Sequence, residues 1–171
     1  MNTKQQIIIA AEQTFDRHGF TASGMDRLTD AANVSSRTLY KHLGNKNKLM
    51  AAALKQRRER FFLALDVESV DALFARLADW SEAEDMRGCL FLRALGDTGA
   101  AVEEVKAEVA VYRQQLRHLV ANLVVKETSS EDATDAVLVI FEGAVSAASY
   151  CGIAAIQSAR ASAAVLLKHL P

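Results

Sequence analysis

The N-terminal third of the chain contains the stretch MDRLTDAANVSSRTLYKHL at residues 25–43, and this stretch decides the fold of the region around it. Apolar residues at three- and four-residue spacing on both sides of Asn33 predict two short amphipathic helices joined by a tight turn. Asn33 tolerates the left-handed backbone that such a turn needs, and serine is a preferred helix N-cap. The first predicted helix spans residues 24–32, with Ser23 as its N-cap. The second spans residues 36–43, with Ser35 as its N-cap.

The same helical periodicity continues through the rest of the chain, and no segment alternates with the period of a strand. Pro171 is the only proline, so nothing in the interior breaks a helix. We therefore predict an all-α fold of about nine helices, with an N-terminal three-helix domain followed by a larger helical domain. The other predicted helices span 3–18, 46–65, 69–83, 89–95, 101–126, 131–150 and 153–170, with Ser129 or Ser130 capping the eighth.

Charge is distributed unevenly between the two parts of the chain. Residues 1–63 carry 11 basic and 5 acidic side chains, whereas residues 64–171 carry 9 basic and 16 acidic ones. A basic N-terminal part on an acidic body favours a polyanionic partner for the N-terminal part alone. Solvated charge distributed by chance is the alternative explanation.

Several classes of protein are disfavoured by what the sequence lacks. No apolar run is long enough for a membrane span, and the N-terminus does not read as a signal peptide, so we expect a cytoplasmic protein with no membrane partner. Cys89 and Cys151 match no metal spacing. We find no glycine-rich phosphate loop and no nucleophile–base pair, so no catalytic residue, metal or cofactor is assigned and we expect no enzyme.

The stretch at residues 25–43 has the plan of a helix-turn-helix, whose second helix enters the major groove of DNA. Leu39 would lock that helix to the first, with Val34 and Leu43 on the same side. Arg37 would then be suited to a bidentate pair with guanine, and Lys46 would meet a phosphate at the start of the fourth helix. The candidate DNA-binding residues are Ser23, Gly24, Ser35, Ser36, Arg37, Thr38, Tyr40, Lys41, His42 and Lys46.

Each candidate also has an ordinary structural explanation when it is taken singly. Tyr40 could be a core aromatic residue with its hydroxyl at the surface, and Arg37, Lys41 and Lys46 could be plain solvated charges. The ordered combination of these residues, rather than any one of them, favours DNA binding.

In that order the residues resemble the N-terminal domain of the TetR family of transcriptional regulators. The similarity covers about residues 3–54 and includes Phe15, His18-Gly19-Phe20, Met25, Leu28, Ala31-Ala32-Asn33-Val34-Ser35, Thr38-Leu39-Tyr40-Lys41-His42-Leu43-Gly44-Asn45-Lys46 and Leu49. The resemblance implies that Thr38 and Leu39 pack the recognition helix, Tyr40 touches DNA and Lys46 contacts the backbone. It also implies a DNA-binding domain at 1–50, a linking fourth helix, and a ligand-binding and dimerisation domain at 51–171.

Three positions depart from the family pattern. Asn33 replaces the usual glycine of the turn, and Leu43 replaces a frequent phenylalanine. Gly24 stands where a serine or threonine commonly binds phosphate, so a hydroxyl contact is lost although the amide could still donate.

Arg87-Gly88-Cys89 is similar to a stretch that many TetR members carry at the start of the helix linking ligand pocket and DNA-binding head. A cysteine at a helix N-terminus beside an arginine should hold more thiolate, so Cys89 could sense electrophiles or oxidants. The alternative is that Cys89 is a small buried hydrophobic residue.

A pocket for an unknown small molecule is expected in the C-terminal domain, lined by large side chains from several helices. The same side chains also build ordinary cores. The candidate ligand-binding residues are Phe62, Trp80, Phe91, Tyr112, Leu116, Phe141 and Tyr150.

The last two helices are rich in small residues, which allow helices to approach closely. The resemblance implies that they form the interface of a homodimer, as two operator half-sites require; packing within one chain is the alternative. The implied function is that of a repressor that binds a palindromic operator and is released by ligand. A thiol-sensing regulator acting through Cys89, a helical enzyme and a structural dimerisation module are the alternatives.

Overall fold

The computed structural model describes residues 2–169, and within them the backbone forms nine α-helices and no strand. The all-α fold expected from the sequence is confirmed. The helices are α1 (Thr3–His18), α2 (Met25–Ala32), α3 (Ser36–Leu43), α4 (Lys46–Ala64), α5 (Val70–Ala83), α6 (Leu90–Asp97), α7 (Glu103–Thr128), α8 (Thr134–Cys151) and α9 (Ile153–Lys168).

Two predicted helix caps are wrong because the serine side chains found other partners. Ser23 does not cap α2: its hydroxyl donates to the Gly19 carbonyl at 2.6 Å, and Gly24 takes the N-cap position. α8 has Ala133 at its N-cap and no side-chain cap. The hydroxyl of Ser130 instead accepts from the backbone N–H of Asp132.

Several other helix ends differ from the prediction by one to three residues. α6 continues through Gly96 to Asp97 instead of ending at Leu95, since one glycine weakens a helix without ending it. The last helix was predicted to end at Leu170, which lies outside the described residues.

The chain divides into two compact units. The head unit comprises the residues up to Arg60 together with Leu90–Tyr112, and the body unit comprises Phe61–Cys89 together with the chain from Arg113 onward. α4 and α7 each contribute residues to both units. The assignment of residues 1–50 to DNA binding and 51–171 to ligand binding and dimerisation stays a prediction.

In the head unit, α1 packs against α2 and α3. The rings of Phe15 and Phe20 stack with their centroids 4.7 Å apart, and both side chains are fully buried. Leu28 of α2 and Leu39 of α3 are buried with them. The apolar faces predicted for these three helices therefore form the core that positions α3.

A cluster of ion pairs is buried beside this core and joins α1, α4 and α6. Glu12 Oε1 lies 3.3 Å from Arg57 Nη1 and 2.5 Å from Arg60 Nη1. Asp16 Oδ1 lies 3.4 Å from Arg57 Nη2 and 3.1 Å from Arg93 Nη2. Glu12, Asp16 and Arg57 are at most 6% exposed, so the loss of one partner would leave an uncompensated buried charge.

In the body unit, α8 and α5 both pack against α9, and the aromatic rings of Phe61, Phe74 and Phe141 fill the interior. A hydrogen bond from Arg160 of α9 lowers the pKa of the Asp71 carboxyl at the start of α5. α8 has the length and the mean hydropathy, 1.2, of a membrane span. Core helices of globular proteins meet the same criteria, and α8 packs against α5 and α9.

We predict that Glu12→Gln lowers the free energy of unfolding by about 3 kcal/mol, because it leaves buried Arg57 with less compensating charge. Urea denaturation followed by circular dichroism measures the loss. The matched control is Asp79→Asn, which breaks an exposed pair with Arg76 and should cost less than about 0.5 kcal/mol. Equal, small losses in both variants would contradict a stabilising role for the cluster.

Candidate nucleic-acid interface

The turn between α2 and α3 contains Asn33 and Ser35, which were predicted as the left-handed turn residue and the N-cap of the second helix. Asn33 adopts the left-handed conformation (φ 51°, ψ 50°), and its N–H donates to the Asp30 carbonyl at 3.0 Å. The N–H of Val34 donates to the Thr29 carbonyl at 3.1 Å, which completes the cap of α2. Ser35 Oγ accepts from the Thr38 N–H at 3.1 Å, so Ser35 is confirmed as the N-cap of α3.

α3 presents one apolar face to the core and a polar face to solvent. Leu39 is fully buried and Leu43 is 6% exposed, and they are the only buried residues of this helix. Thr38 is half-buried, with its hydroxyl 2.9 Å from that of Ser35. The exposed predicted residues on or next to α3 are Ser35, Ser36, Arg37, Tyr40, Lys41 and His42.

Tyr40 is 46% exposed. The structure thus rejects the reading of Tyr40 as a core residue and leaves its ring and hydroxyl available on the outer face of α3. An exposed aromatic ring next to Lys41 and Arg37 suits contact with sugar and phosphate groups.

The start of α4 adds backbone and side-chain donors to the same region of sequence. Asn45 Oδ1 accepts from the Lys48 N–H at 2.9 Å and so caps α4, a cap that was not predicted from the sequence. Lys46 Nζ donates to the Thr21 carbonyl at 3.3 Å, and partial burial lowers the pKa of its ammonium. An ammonium that has lost part of its hydration can pair with phosphate at a smaller desolvation cost than a fully hydrated one.

The two predicted residues before α2 have different surroundings. Gly24 is exposed, with nothing within 4 Å of the place where a Cβ would stand. Ser23 is fully buried with its hydroxyl on Gly19, so the structure contradicts its prediction as a DNA-binding side chain. A serine before a helix has two possible hydrogen-bonding partners, and the sequence did not show which one it would choose.

The basic side chains of the head unit fall into two groups. Those from residue 55 onward pair with acidic residues: Lys55 with Glu59, Arg57 and Arg60 with Glu12, and Arg58 with Glu108. Within the described residues, the basic side chains from position 4 to position 48 form no ion pair. These unpaired cations are Lys4, Arg17, Arg27, Arg37, Lys41, Lys46 and Lys48.

Arg27 and Lys48 belong to this unpaired group but were not among the predicted DNA-binding residues. Arg27 is exposed on α2, and Lys48 is exposed in the first turn of α4. Net charge alone does not reveal them, because it counts paired and unpaired cations equally. The positions of the acidic residues in the sequence also do not predict which basic side chains they pair with in the fold.

The predicted ligand-binding residues separate into distinct groups. Phe62, Trp80 and Phe141 of the body unit lie around Phe61, with ring centroids 5.4, 5.3 and 6.5 Å from it. Leu116 is buried in the same unit.

Phe91 and Tyr112 are buried in the head unit, where their rings stack at 3.9 Å. Tyr150 is 79% exposed, and the structure contradicts its place in a buried pocket. It stands nine residues from Phe141 on α8, which puts it on the opposite face of the helix.

Cys89 is half-buried and immediately precedes α6. Arg87 pairs with Asp85, Nη2 to Oδ2 at 2.5 Å. Within the described residues neither Cys89 nor Cys151 forms a disulfide, and no cluster of potential metal ligands occurs there. The thiol-sensing role of Cys89 stays a prediction.

The outer surface of α8 and α9 is an apolar groove made of small residues. Large apolar side chains beside it are exposed to solvent: Val139 by 74% and Val165 by 60%. The groove has a volume of about 500 Å³ and is lined by Ile140, Gly143, Ala144, Ala147, Cys151, Ala154, Ala155, Ser158 and Ala159. Exposed apolar side chains around a groove of small residues are often found where a partner binds.

Comparison with known proteins adds sequence and fold relationships to this geometry. The family profile for bacterial regulatory proteins of the tetR family matches residues 7–53. The chain is 41% identical over 51 residues to the HTH-type transcriptional activator FasR of Mycolicibacterium smegmatis. That alignment covers 30% of this chain and 23% of the activator, so the chain spans less than a quarter of that relative's length.

Solved structures resemble the fold over almost the whole chain. A TetR-family transcriptional regulator from Streptomyces coelicolor superimposes with a TM-score of 0.88 at 21% identity, covering 97% of this chain and 94% of that one. A TetR regulator from Legionella pneumophila gives 0.81 at 15% identity, with 97% of both chains covered. The reduced form of NemR from E. coli gives 0.77 at 16% identity, with 95% of both chains covered.

Proposed function

We propose that this chain, whose N-terminal segment matches the tetR family profile, is a transcriptional regulator of the TetR type that binds a palindromic DNA operator as a dimer. The observation that carries the proposal is the polar outer face of α3, on which Arg37, Tyr40 and Lys41 are exposed while Leu39 anchors the helix. Arg37 would read a guanine, and Tyr40 and Lys41 would contact the backbone and groove edge.

Phosphate contacts would come from the unpaired cations and from helix N-termini. Lys46 and Lys48 lie in the first turn of α4, where the helix dipole also favours an anion. The exposed Gly24 offers a backbone amide at the start of α2. Since no ion pair within the described residues neutralises these cations, binding to DNA would release counterions and depend steeply on salt.

A second copy of this chain is the occupant we propose for the groove on α8 and α9. Small residues such as Gly143 and Ala147 allow two helices to approach closely, and the exposed Val139 and Val165 would gain burial. A two-fold dimer presents two copies of α3 to two half-sites, which one head alone cannot read with comparable affinity.

We propose an uncharged, largely apolar small molecule as the ligand of the body unit. Among its described residues, Ser81 and Thr134 are the buried polar side chains, and the rings around Phe61 provide apolar surface. Ligand and DNA would favour different arrangements of the dimer, with a coupling of about 1–3 kcal/mol. α4, which contributes residues to both units, is the proposed lever.

We propose repression as the mode of regulation, because a dimer bound to an operator that overlaps a promoter blocks that promoter. The protein would act in the cytoplasm, where the DNA is, and it would catalyse no reaction. The similar protein FasR from Mycolicibacterium smegmatis is a transcriptional activator. The position of the operator relative to the promoter would therefore decide whether this chain represses or activates transcription.

Selection of bound duplexes from a random pool tests the DNA-binding proposal. We expect a palindrome whose half-site centres lie about one helical turn, or a multiple of it, apart. Arg37→Ala should relax the preference at one position per half-site by about 1–3 kcal/mol, whereas the control Arg76→Ala in the body unit should change nothing. Enrichment of no sequence, or an unchanged preference in Arg37→Ala, would contradict the proposal.

Sedimentation of Ala147→Glu tests the dimer interface. A carboxylate placed in the groove would be buried without a partner in the dimer, so we expect a monomer with weakened binding to two-half-site duplexes. Ala107→Glu, the same substitution at an exposed position of α7, should remain a dimer. The interface would have to lie elsewhere if Ala147→Glu also sediments as a dimer.

A further inference from the structure

The end of α6 makes two polar contacts with the turn between α1 and α2 and one with the last turn of α1 in the head unit. Asp97 Oδ2 accepts from the backbone N–H of Phe20 at 2.8 Å, and the Thr21 hydroxyl donates to the Asp97 carbonyl at 2.6 Å. One turn earlier, Arg93 Nη2 donates to the Asp16 carbonyl at 2.6 Å. These residues are 76 or 77 positions apart in sequence, so the contacts tie α6 to a distant part of the chain.

Gly19 is required for this approach. Its φ of 83° is one that side-chain-bearing residues rarely adopt, and a Cβ at this position would stand 2.8 Å from Asp97 Oδ2. The glycine that ends α1 therefore also makes room for the carboxylate of α6.

Asp97 is unfavourable for α6 itself. As the last residue of the helix, its negative charge lies at the negative end of the helix dipole, which disfavours it. The hydrogen bond to the Phe20 amide supplies a compensating interaction that α6 alone does not provide.

The turn at residues 19–21 also contacts Lys46, a residue proposed to bind phosphate. The Thr21 carbonyl accepts from Lys46 Nζ at 3.3 Å. Thr21 thus links Asp97 on one side with the first turn of α4 on the other. Gly24, the exposed N-cap of α2, follows three residues later.

From these contacts we propose that Asp97 is a positioning residue of the DNA interface. By holding the 19–21 turn, it sets where the Lys46 ammonium and the start of α2 stand before DNA arrives. This inference rests on the proposed DNA binding, and it assigns to α6 a role in the operator-binding geometry of the ligand-free protein.

The sign of the effect separates positioning from simple electrostatics. Removing a negative charge from the head unit should strengthen DNA binding if charge alone mattered. If Asp97 positions Lys46, Asp97→Ala should weaken binding, and the slope of log K against log salt should become less steep by about 0.9 for each head. Asp97→Asn keeps an acceptor oxygen for the Phe20 amide and should bind almost as the wild type does.

The experiment is a salt titration of binding to the selected operator, with Glu103→Ala as the control. Glu103 is an exposed acidic residue of the same unit, paired with Lys106 and remote in sequence from the turn, so its removal should leave the slope unchanged. In the Lys46→Ala background, Asp97→Ala should have no further effect on the slope, because its action passes through Lys46.

Amide hydrogen exchange without DNA measures the contact itself. The Phe20 amide should be protected in the wild type and should exchange faster in Asp97→Ala at unchanged melting temperature. If Asp97→Ala binds DNA as the wild type does and with the same salt slope, the positioning role is wrong. It is also wrong if the Phe20 amide of the wild type is unprotected. Neither result contradicts the DNA-binding proposal itself. A wild type that binds no duplex overturns the DNA-binding proposal and the positioning role with it.

Discussion

The polar outer face of α3, which we propose contacts DNA, depends on the burial of Leu39. α3 has eight residues, and an isolated helix of that length is not stable in water. Full burial of one leucine contributes about 1.5–3 kcal/mol, and Leu43 adds a second apolar contact at the end of the helix. With this anchor on the inner face, the polar residues of α3 other than the half-buried Thr38 remain exposed, which a helix needing more burial could not allow.

The second constraint is the division of the cations into paired and unpaired groups. Glu12 and Asp16 are buried and bind arginines of α4 and α6, so those arginines fix the positions of helices. The cations from Lys4 to Lys48 meet no acidic partner in the described residues. The same residue types therefore serve two purposes in the head unit, and the positions of the acidic residues decide which purpose each one serves.

Local signals in the sequence were sufficient for most of the fold and failed where a residue had a choice of partners. Asn33 and Ser35 were predicted correctly because the turn and the cap involve neighbours within five residues. Ser23 was not, since its hydroxyl bonds back to Gly19 instead of forward to α2. Tyr150 was misplaced because α8 is apolar on both faces, and periodicity does not tell an inner face from a face that meets another molecule. The contact between Asp97 and Phe20 crosses 77 positions and leaves no local signal at all.

Hydrogen–deuterium exchange of the free and DNA-bound protein tests the central claim most directly, because it reports which helices the DNA covers without any substitution. We expect DNA to slow exchange in α3 and in the first turns of α2 and α4, and to leave exchange of the amides on the outer faces of α8 and α9 unchanged. Slowed exchange confined to α8 and α9, with α3 unaffected, would contradict this claim.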